Sequence, residues 1–268
     1  MTELTLRELQ LFSLEILKDV HQFCVNNGIK YSLQDGSLIG VIRHKGFIPW
    51  DDDVDIIMPR SDYTRFCKNY MSTNYHLIFP ERDKDCKIAF ARVYDAQKTI
   101  AVSPDPWCNR DYGVSIDIFP ADGAFESIRK HNNYYKISRL LWKASCVCRI
   151  VSVKKFSLKN SLFHNIVYLS SLFFPTRFYT QRVFKRAASI PYGSTKFWTQ
   201  MTCMGDNSRE RHRIETFNHC SLMPFEDTEV LVMNGYDEVL RDKYGDYMEL
   251  PPVEKRKPHS SLAKFYWR

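Results

Sequence analysis

Apolar residues fall at helical spacing from the start of the chain, with Leu6, Leu9, Phe12, Ile16, Val20 and Phe23 on one face. Thr5 followed by Glu8 makes a capping box, and Gly28 stands where a C-terminal cap belongs, so the pattern predicts a helix between them. Residues 29–33 read as a short strand. Gly36-Ser37 then opens a turn into the apolar run 38–42, one or two turns of helix, and residues 43–46 form a basic turn. From Asp53 to Met58 acid and apolar residues alternate, the period of a strand. A helix is expected over 61–70, strands over 87–94 and 114–118, a strand over 229–233 and a helix over 236–244. The stretch between 127 and 205 reads as helices with aromatic and aliphatic faces. No segment repeats.

Mixed strands and helices of this kind predict an α/β fold with a basic helical section. The 268 residues are 44% apolar and 26% charged with 10 Gly and 12 Pro, which excludes a disordered or collagen-like chain. The first residues carry no basic-then-apolar leader pattern. The most apolar stretch, 161–174, includes His164 and Asn165 and is shorter than the roughly 20 residues a spanning helix needs. A cytoplasmic protein is the expectation. Of 8 cysteines only Cys146 and Cys148 lie close together, which predicts reduced thiols and no structural zinc.

The net charge of +7 hides a segregation. Residues 127–205 hold 14 Lys and Arg and no acid, leaving 24 basic residues against 31 acids elsewhere. An acidic body thus carries a basic middle section, and the two parts are expected to meet different partners.

Candidate chemistry concentrates at residues 51–55. On a strand, Asp53 and Asp55 project from one face while Val54 and Ile56 point into the core. Two carboxylates one pleat apart, roughly 6 to 7 Å along the strand, can share a hard divalent cation that also takes phosphate oxygens. A run of acids is commonly a solvated turn. Here the flanking Val54, Ile56, Ile57 and Met58 bury at least one face, and repelling carboxylates in such a place call for a cation. Asp117, in the apolar segment 114–119, would join them if its strand were a neighbour, and could accept a proton from an attacking hydroxyl. Gly36-Ser37 is a candidate phosphate cradle.

The run Gly-Ser-Leu-Ile-Gly-Val-Ile-Arg-His-Lys-Gly-Phe-Ile-Pro-Trp-Asp-Asp-Asp-Val-Asp-Ile, residues 36–56, resembles the signature of the LicD family, related to the fukutin-type phosphotransferases. Segments 58–63, 90–95, 116–120 and 244–248 with Pro251-Pro252 extend the likeness to both ends of the chain, and the basic middle section lies outside it.

The resemblance implies a nucleotidyltransferase-like small mixed sheet flanked by helices; with the charge boundaries it divides the chain into an expected catalytic core over 1–126, the basic section over 127–205, and a segment over 206–268 packing back on the core. It also implies that Gly36 and Ser37 hold donor phosphates and that Asp53, Asp55 and Asp117 bind Mg²⁺ or Mn²⁺. Asp51 and Asp52 would stand behind these ligands. The activity implied is metal-dependent transfer of phosphocholine from CDP-choline to a hydroxyl of a bacterial surface glycan, a teichoic acid, lipopolysaccharide or capsule precursor.

Arg43, Lys45 and Arg92 are the cations expected to touch phosphate. Trp50, Tyr94, Trp107 and Tyr112 are the aromatics suited to caging a quaternary ammonium. The basic section is expected to contact an anionic membrane at the inner face of the cytoplasmic membrane, where lipid-linked glycan acceptors are built, or else the acceptor itself. Three alternatives stay open: transfer of another CDP-linked alcohol such as glycerol or ribitol, a nucleotidyltransferase acting on RNA or protein, and a noncatalytic membrane-associated scaffold. No nucleic-acid partner is expected, because no RNA-binding signature occurs.

Overall fold

The computed structural model describes residues 1–103, 106–151, 162–204, 210–258 and 263–268. In chain order its first half comprises α1 (Leu6–Asn26), β1 (Ser32–Leu33), α2 (Asp35–Ile39) running into a π-helical turn (Gly40–His44), β2 (Asp55–Pro59), α3 (Arg60–Asn69), β3 (His76–Ile78), β4 (Ala91–Tyr94), β5 (Thr99–Val102) and β6 (Ser115–Gly123). There follow α4 (Ile128–Val151), α5 (Leu162–Ser171), α6 (Thr176–Ala187), β7 (Phe197–Thr199), β8 (His212–Arg213), β9 (Cys220–Phe225), β10 (Thr228–Met233), α7 (Tyr236–Tyr244) and β11 (Lys264–Trp267). It is an α/β fold, with a curled mixed sheet flanked by helices.

The sheet runs in the order β1, β2, β6, β4, β3. β2 and β6 are parallel, and the other pairs are antiparallel. β7 and β8 extend it from the far end of β6. Parallel neighbours are buried on both faces, and Ile56, Ile57 and Met58 are accordingly sealed, as are Ile116 and Ile118 opposite. Helix α1 covers one face with Leu14, Ile16, Leu17, Val20 and Cys24. Its capping box forms: the Thr5 amide donates to Glu8 Oε2 at 2.8 Å, and the Glu8 amide to Thr5 Oγ1 at 3.3 Å.

Several strands differ in extent from the sequence pattern: β1 is confined to Ser32–Leu33 of the expected 29–33, and β2 starts at Asp55 rather than Asp53. β4 begins at Ala91 rather than near residue 87, because Cys86, Ile88 and Phe90 meet their apolar alternation by packing into a second core cluster while the Lys87 amide bonds the Trp107 carbonyl at 2.9 Å. β6 runs past Ile118 to Gly123, because β7 pairs with Asp122 and Gly123. A buried ion pair fixes that far end. Arg60, at the start of α3, donates to both oxygens of Asp122 at 2.7 and 2.5 Å, with its guanidinium 4.4 Å from the Phe184 ring of α6. Val183 and Phe184 belong to the main core, so α6 ties the helical section to the sheet. All eight cysteines are free thiols.

Candidate active site

The strand registers bring together three charged residues far apart in sequence. Asp117 on β6 faces Asp55 across the parallel pair and Arg92 across the antiparallel pair, so Asp55, Asp117 and Arg92 form one row on one face of the sheet. Arg92 grips Asp117 with two parallel bonds, Nε to Oδ1 and Nη2 to Oδ2, the latter 2.6 Å. Asp53 sits just before β2, where the ladder begins. Asp52, Asp53, Asp55, Asp117 and Arg92 all line a cleft of about 560 Å³.

The charge in this cleft is unbalanced. Burial, then the neighbouring Asp51, Asp117 and Asp52, push the Asp53 carboxyl up to about 8. Burial and the adjacent Asp53 and Asp117 hold the Asp55 carboxyl well above the usual range. Carboxylate oxygens of Asp51, Asp52 and Asp53 lie within 4.8 Å of one another, the one such set of three among the described residues. Crowded carboxylate oxygens are a donor set that a hard divalent cation fits. Asp51 and Asp52 therefore have as good a claim to ligand positions as Asp55 and Asp117, the latter being drawn to Arg92.

The glycines of the 36–46 segment have steric reasons. A Cβ at Gly36 would stand 2.5 Å from Asp51 Oδ2, and one at Gly40 would stand 2.5 Å from the Gly46 carbonyl oxygen. At Gly40, where the neighbour is backbone, only glycine lets the basic turn fold back, while at Gly36 a side chain would have to displace the Asp51 carboxylate. Ser37 is buried, and its hydroxyl accepts from the Asp55 amide at 3.0 Å, fixing the start of β2. Arg43 donates to the Tyr247 and Glu249 carbonyls at 2.6 and 3.2 Å and so holds the C-terminal loop. Lys45 is exposed at φ +55° and lines neither this cleft nor the cavity beside it.

That neighbouring cavity, about 520 Å³, is bounded by Gly36, Arg43, Trp50, Asp51, Tyr247 and Lys257. Asp51 faces it while Asp52 and Asp53 face the first cleft, so the acidic turn is the partition between the two. The aromatic residues divide likewise. Trp107 and Tyr112, ring centroids 4.1 Å apart, line the first cleft with Phe90 and Phe119. Tyr94 is buried behind Trp107 at 5.1 Å. Trp50 lies under the Arg256 guanidinium at 5.4 Å, on the second cavity.

Sequence reasoning missed a second charged cluster on the same cleft. Lys243 on α7 bridges Asp35 at 2.6 Å and Glu210 at 2.8 Å, and all three line the cleft. Asp35 holds φ +51°, uncommon for a residue with a side chain, and accepts from the Tyr244 hydroxyl at 3.1 Å. Burial pushes Glu210 up to about 7. Asp35 adjoins Gly36, and Lys243 adjoins the 244–248 segment, which were the available signals. Nothing in the sequence marked Glu210, nor Trp142, Cys146 and Arg149 of α4, which also line the cleft.

Residues 28–147 match the family model described as LicD/FKTN/FKRP, nucleotidyltransferase domain. Over 275 aligned residues the chain is 32% identical to the lipopolysaccharide cholinephosphotransferase LicD of Haemophilus influenzae, covering 97% of each. Shorter matches, 42% identical over 52 residues and 44% over 48, join it to uncharacterized proteins of Rickettsia typhi and Rickettsia prowazekii. They cover 19% and 18% of this chain. With the match to the Haemophilus protein running the length of both chains, this chain belongs to the LicD family and is a phosphotransferase.

Proposed function

We propose that the protein transfers phosphocholine from CDP-choline to a hydroxyl of a bacterial surface glycan, a lipopolysaccharide precursor first among them, with Mg²⁺ or Mn²⁺ as cofactor. The observation that carries this reading is the meeting of a carboxylate row and an aromatic wall in one cleft. A quaternary ammonium offers no hydrogen-bond donor and is held by ring faces. Phe90, Trp107, Tyr112 and Phe119 line the cleft that also holds Asp53, Asp55 and Asp117, and the Phe90 and Trp107 rings already take a cation, the Arg92 guanidinium at 5.7 and 5.1 Å. The relative that matches over its whole length is named for choline phosphate and lipopolysaccharide, which favours choline over glycerol or ribitol.

In this reading Asp53 and Asp55 hold the cation, with Asp51, Asp52 or Asp117 completing the donor set. A divalent cation held there would supply neutralising charge for the donor's pyrophosphate oxygens and the departing CMP. The acceptor oxygen attacks the phosphorus that bears choline, the bond to the bridging oxygen breaks, and CMP leaves with the charge. Arg92 turns from Asp117 to the donor phosphate, which frees Asp117 to orient the acceptor hydroxyl and take its proton. Ser37 keeps Asp55 in place through the backbone, and Gly36 keeps Asp51 close.

The test is CMP release from CDP-choline, CDP-glycerol and CDP-ribitol, each with magnesium and a lipid-linked glycan fraction. Release from CDP-choline alone, dependent on both metal and acceptor and lost in Asp53→Asn and Asp55→Asn, is the expected result. Equal release from CDP-ribitol or CDP-glycerol would move the donor assignment. Folded protein that releases CMP from none of them would sink the reading.

A further inference from the structure

Helix α5 is turned inside out relative to an ordinary surface helix. It buries Val167 against Ala144 and Cys148 of α4, while Leu162, Ile166 and Leu169, at spacings of four and three, face solvent at 77%, 55% and 50% exposure. The apolar stripe continues into the α5–α6 turn, where Leu172 is 66% and Phe173 80% exposed. Contiguous large apolar side chains held out in water mark an interaction surface rather than scatter.

Charge selects the partner. Residues 127–205 contain no acid among their 14 basic residues. Beside the turn lies a recess of about 500 Å³ lined by Leu172 and Pro175 together with Lys84, Lys87 and Arg177. Its one acid, Asp85, is paired with Arg110 at 2.5 Å. Apolar side chains with cations beside them match a bilayer surface, which offers acyl chains and phosphates together. No helix among the described residues is long and apolar enough to cross a membrane, so the stripe lies in the interface plane.

We infer that α5 and the α5–α6 turn dock on an anionic phospholipid bilayer, with Leu172 and Phe173 inserted and Lys84, Lys87 and Arg177 on lipid phosphates. The docking itself does not depend on the transfer reaction. Only its consequence rests on the proposed function: Trp142, Cys146 and Arg149 of α4 line the cleft, and Ala144 and Cys148 of the same helix hold Val167 of α5. The docked α5 and the α4 it packs on then stand between the bilayer and the site where a lipid-linked acceptor would react.

The full chain is sedimented with vesicles of phosphatidylethanolamine and phosphatidylglycerol, and separately with phosphatidylcholine vesicles. Binding to the anionic vesicles only, weakened about tenfold or more by the double variant Leu172→Ser/Phe173→Ser and by Lys84→Glu/Arg177→Glu, is expected. A Phe173→Trp variant should show added tryptophan emission that brominated lipids quench. Circular dichroism of each variant separates loss of binding from loss of fold. Failure of the wild type to sediment, or binding unchanged in both double variants, overturns the inference. So does a dimer seen by light scattering that dissociates in Leu172→Ser/Phe173→Ser while vesicles go unbound, which would assign the stripe to a second copy of this chain. CMP release from a soluble acceptor analogue reports on the chemistry independently of either result.

Discussion

Asp53 is penalised twice in the folded protein, by burial and by the carboxylates of Asp51, Asp117 and Asp52. Because its carboxyl is raised to about 8 in the fold and lies near 3.8 outside it, the stabilisation it offers is complete only at low pH and is lost as pH rises toward 8. A bound cation removes that loss. Differential scanning fluorimetry should therefore show a magnesium-induced rise in melting temperature that is larger at about pH 8 than at about pH 5, and an equal rise at both would argue against this assignment. Asp53→Asn should leave the metal-free protein more stable than wild type yet lower CMP release by about 100-fold or more, through several kcal/mol of lost charge stabilisation. Opposite signs in the two measurements distinguish a functional acid from a structural one. Arg92→Lys keeps the charge but gives up the two parallel bonds to Asp117, so its expected effect is a raised KM for the donor together with a lowered kcat, read from steady-state kinetics.

Among elements, the turn from α2 to the basic residues 43–46 does most to shape the site. Its glycines were legible as glycines in the chain, but their neighbours, the Asp51 carboxylate at Gly36 and the Gly46 carbonyl that requires Gly40, emerged only when the loop closed. Gly40→Ala drives a Cβ against backbone, and its expected cost is about 1–3 kcal/mol in denaturant unfolding. A similar device orders the approach to β5. Asp95 is 1% exposed and accepts from the amides of Gln97, Lys98 and Thr99 and from the Thr99 hydroxyl. Asp95→Ala strands those donors, at about 3 kcal/mol. Helix α1 was readable in detail because capping and period are local. The short β1 and the late start of β4 were not, because ladder pairing depends on partners elsewhere in the chain.

At the scale of the whole molecule, the fold locks the far end of β6 with charge and opens its near end for chemistry. Asp122 and Arg60 pair out of water through Nε and Nη2 of the guanidinium, whose Nη1 finds no hydrogen-bond partner among the described residues, and Asp122→Ala would leave that buried guanidinium without its paired carboxylate. The expected loss is about 3–5 kcal/mol, seen as a lowered thermal midpoint, whereas replacing both partners with apolar residues should cost less. At the other end of the same strand, Asp117 meets Asp55 and Arg92. The segment after residue 205 also enters here. Lys243 and Glu210 join Asp35 across the cleft wall, and Val230 and Val232 share the main core with α1.

Features governed by near neighbours along the chain were set by the sequence itself: the capped amphipathic α1, the acid-apolar alternation into β2, the acid-free basic stretch, and a 36–56 signature specific enough to indicate the family. What the tertiary structure decided was adjacency. Asp117 became a partner of Asp55 through parallel register, Arg92 became its counter-ion through antiparallel register, and Asp51 parted from Asp52 and Asp53 to face a second cavity. Whether an apolar run is core or surface belongs to the same class. The stretch around α5 is the most apolar of the chain, yet among its described residues only Val167 is buried, because burial belongs to the packing of elements and not to any residue's own polarity.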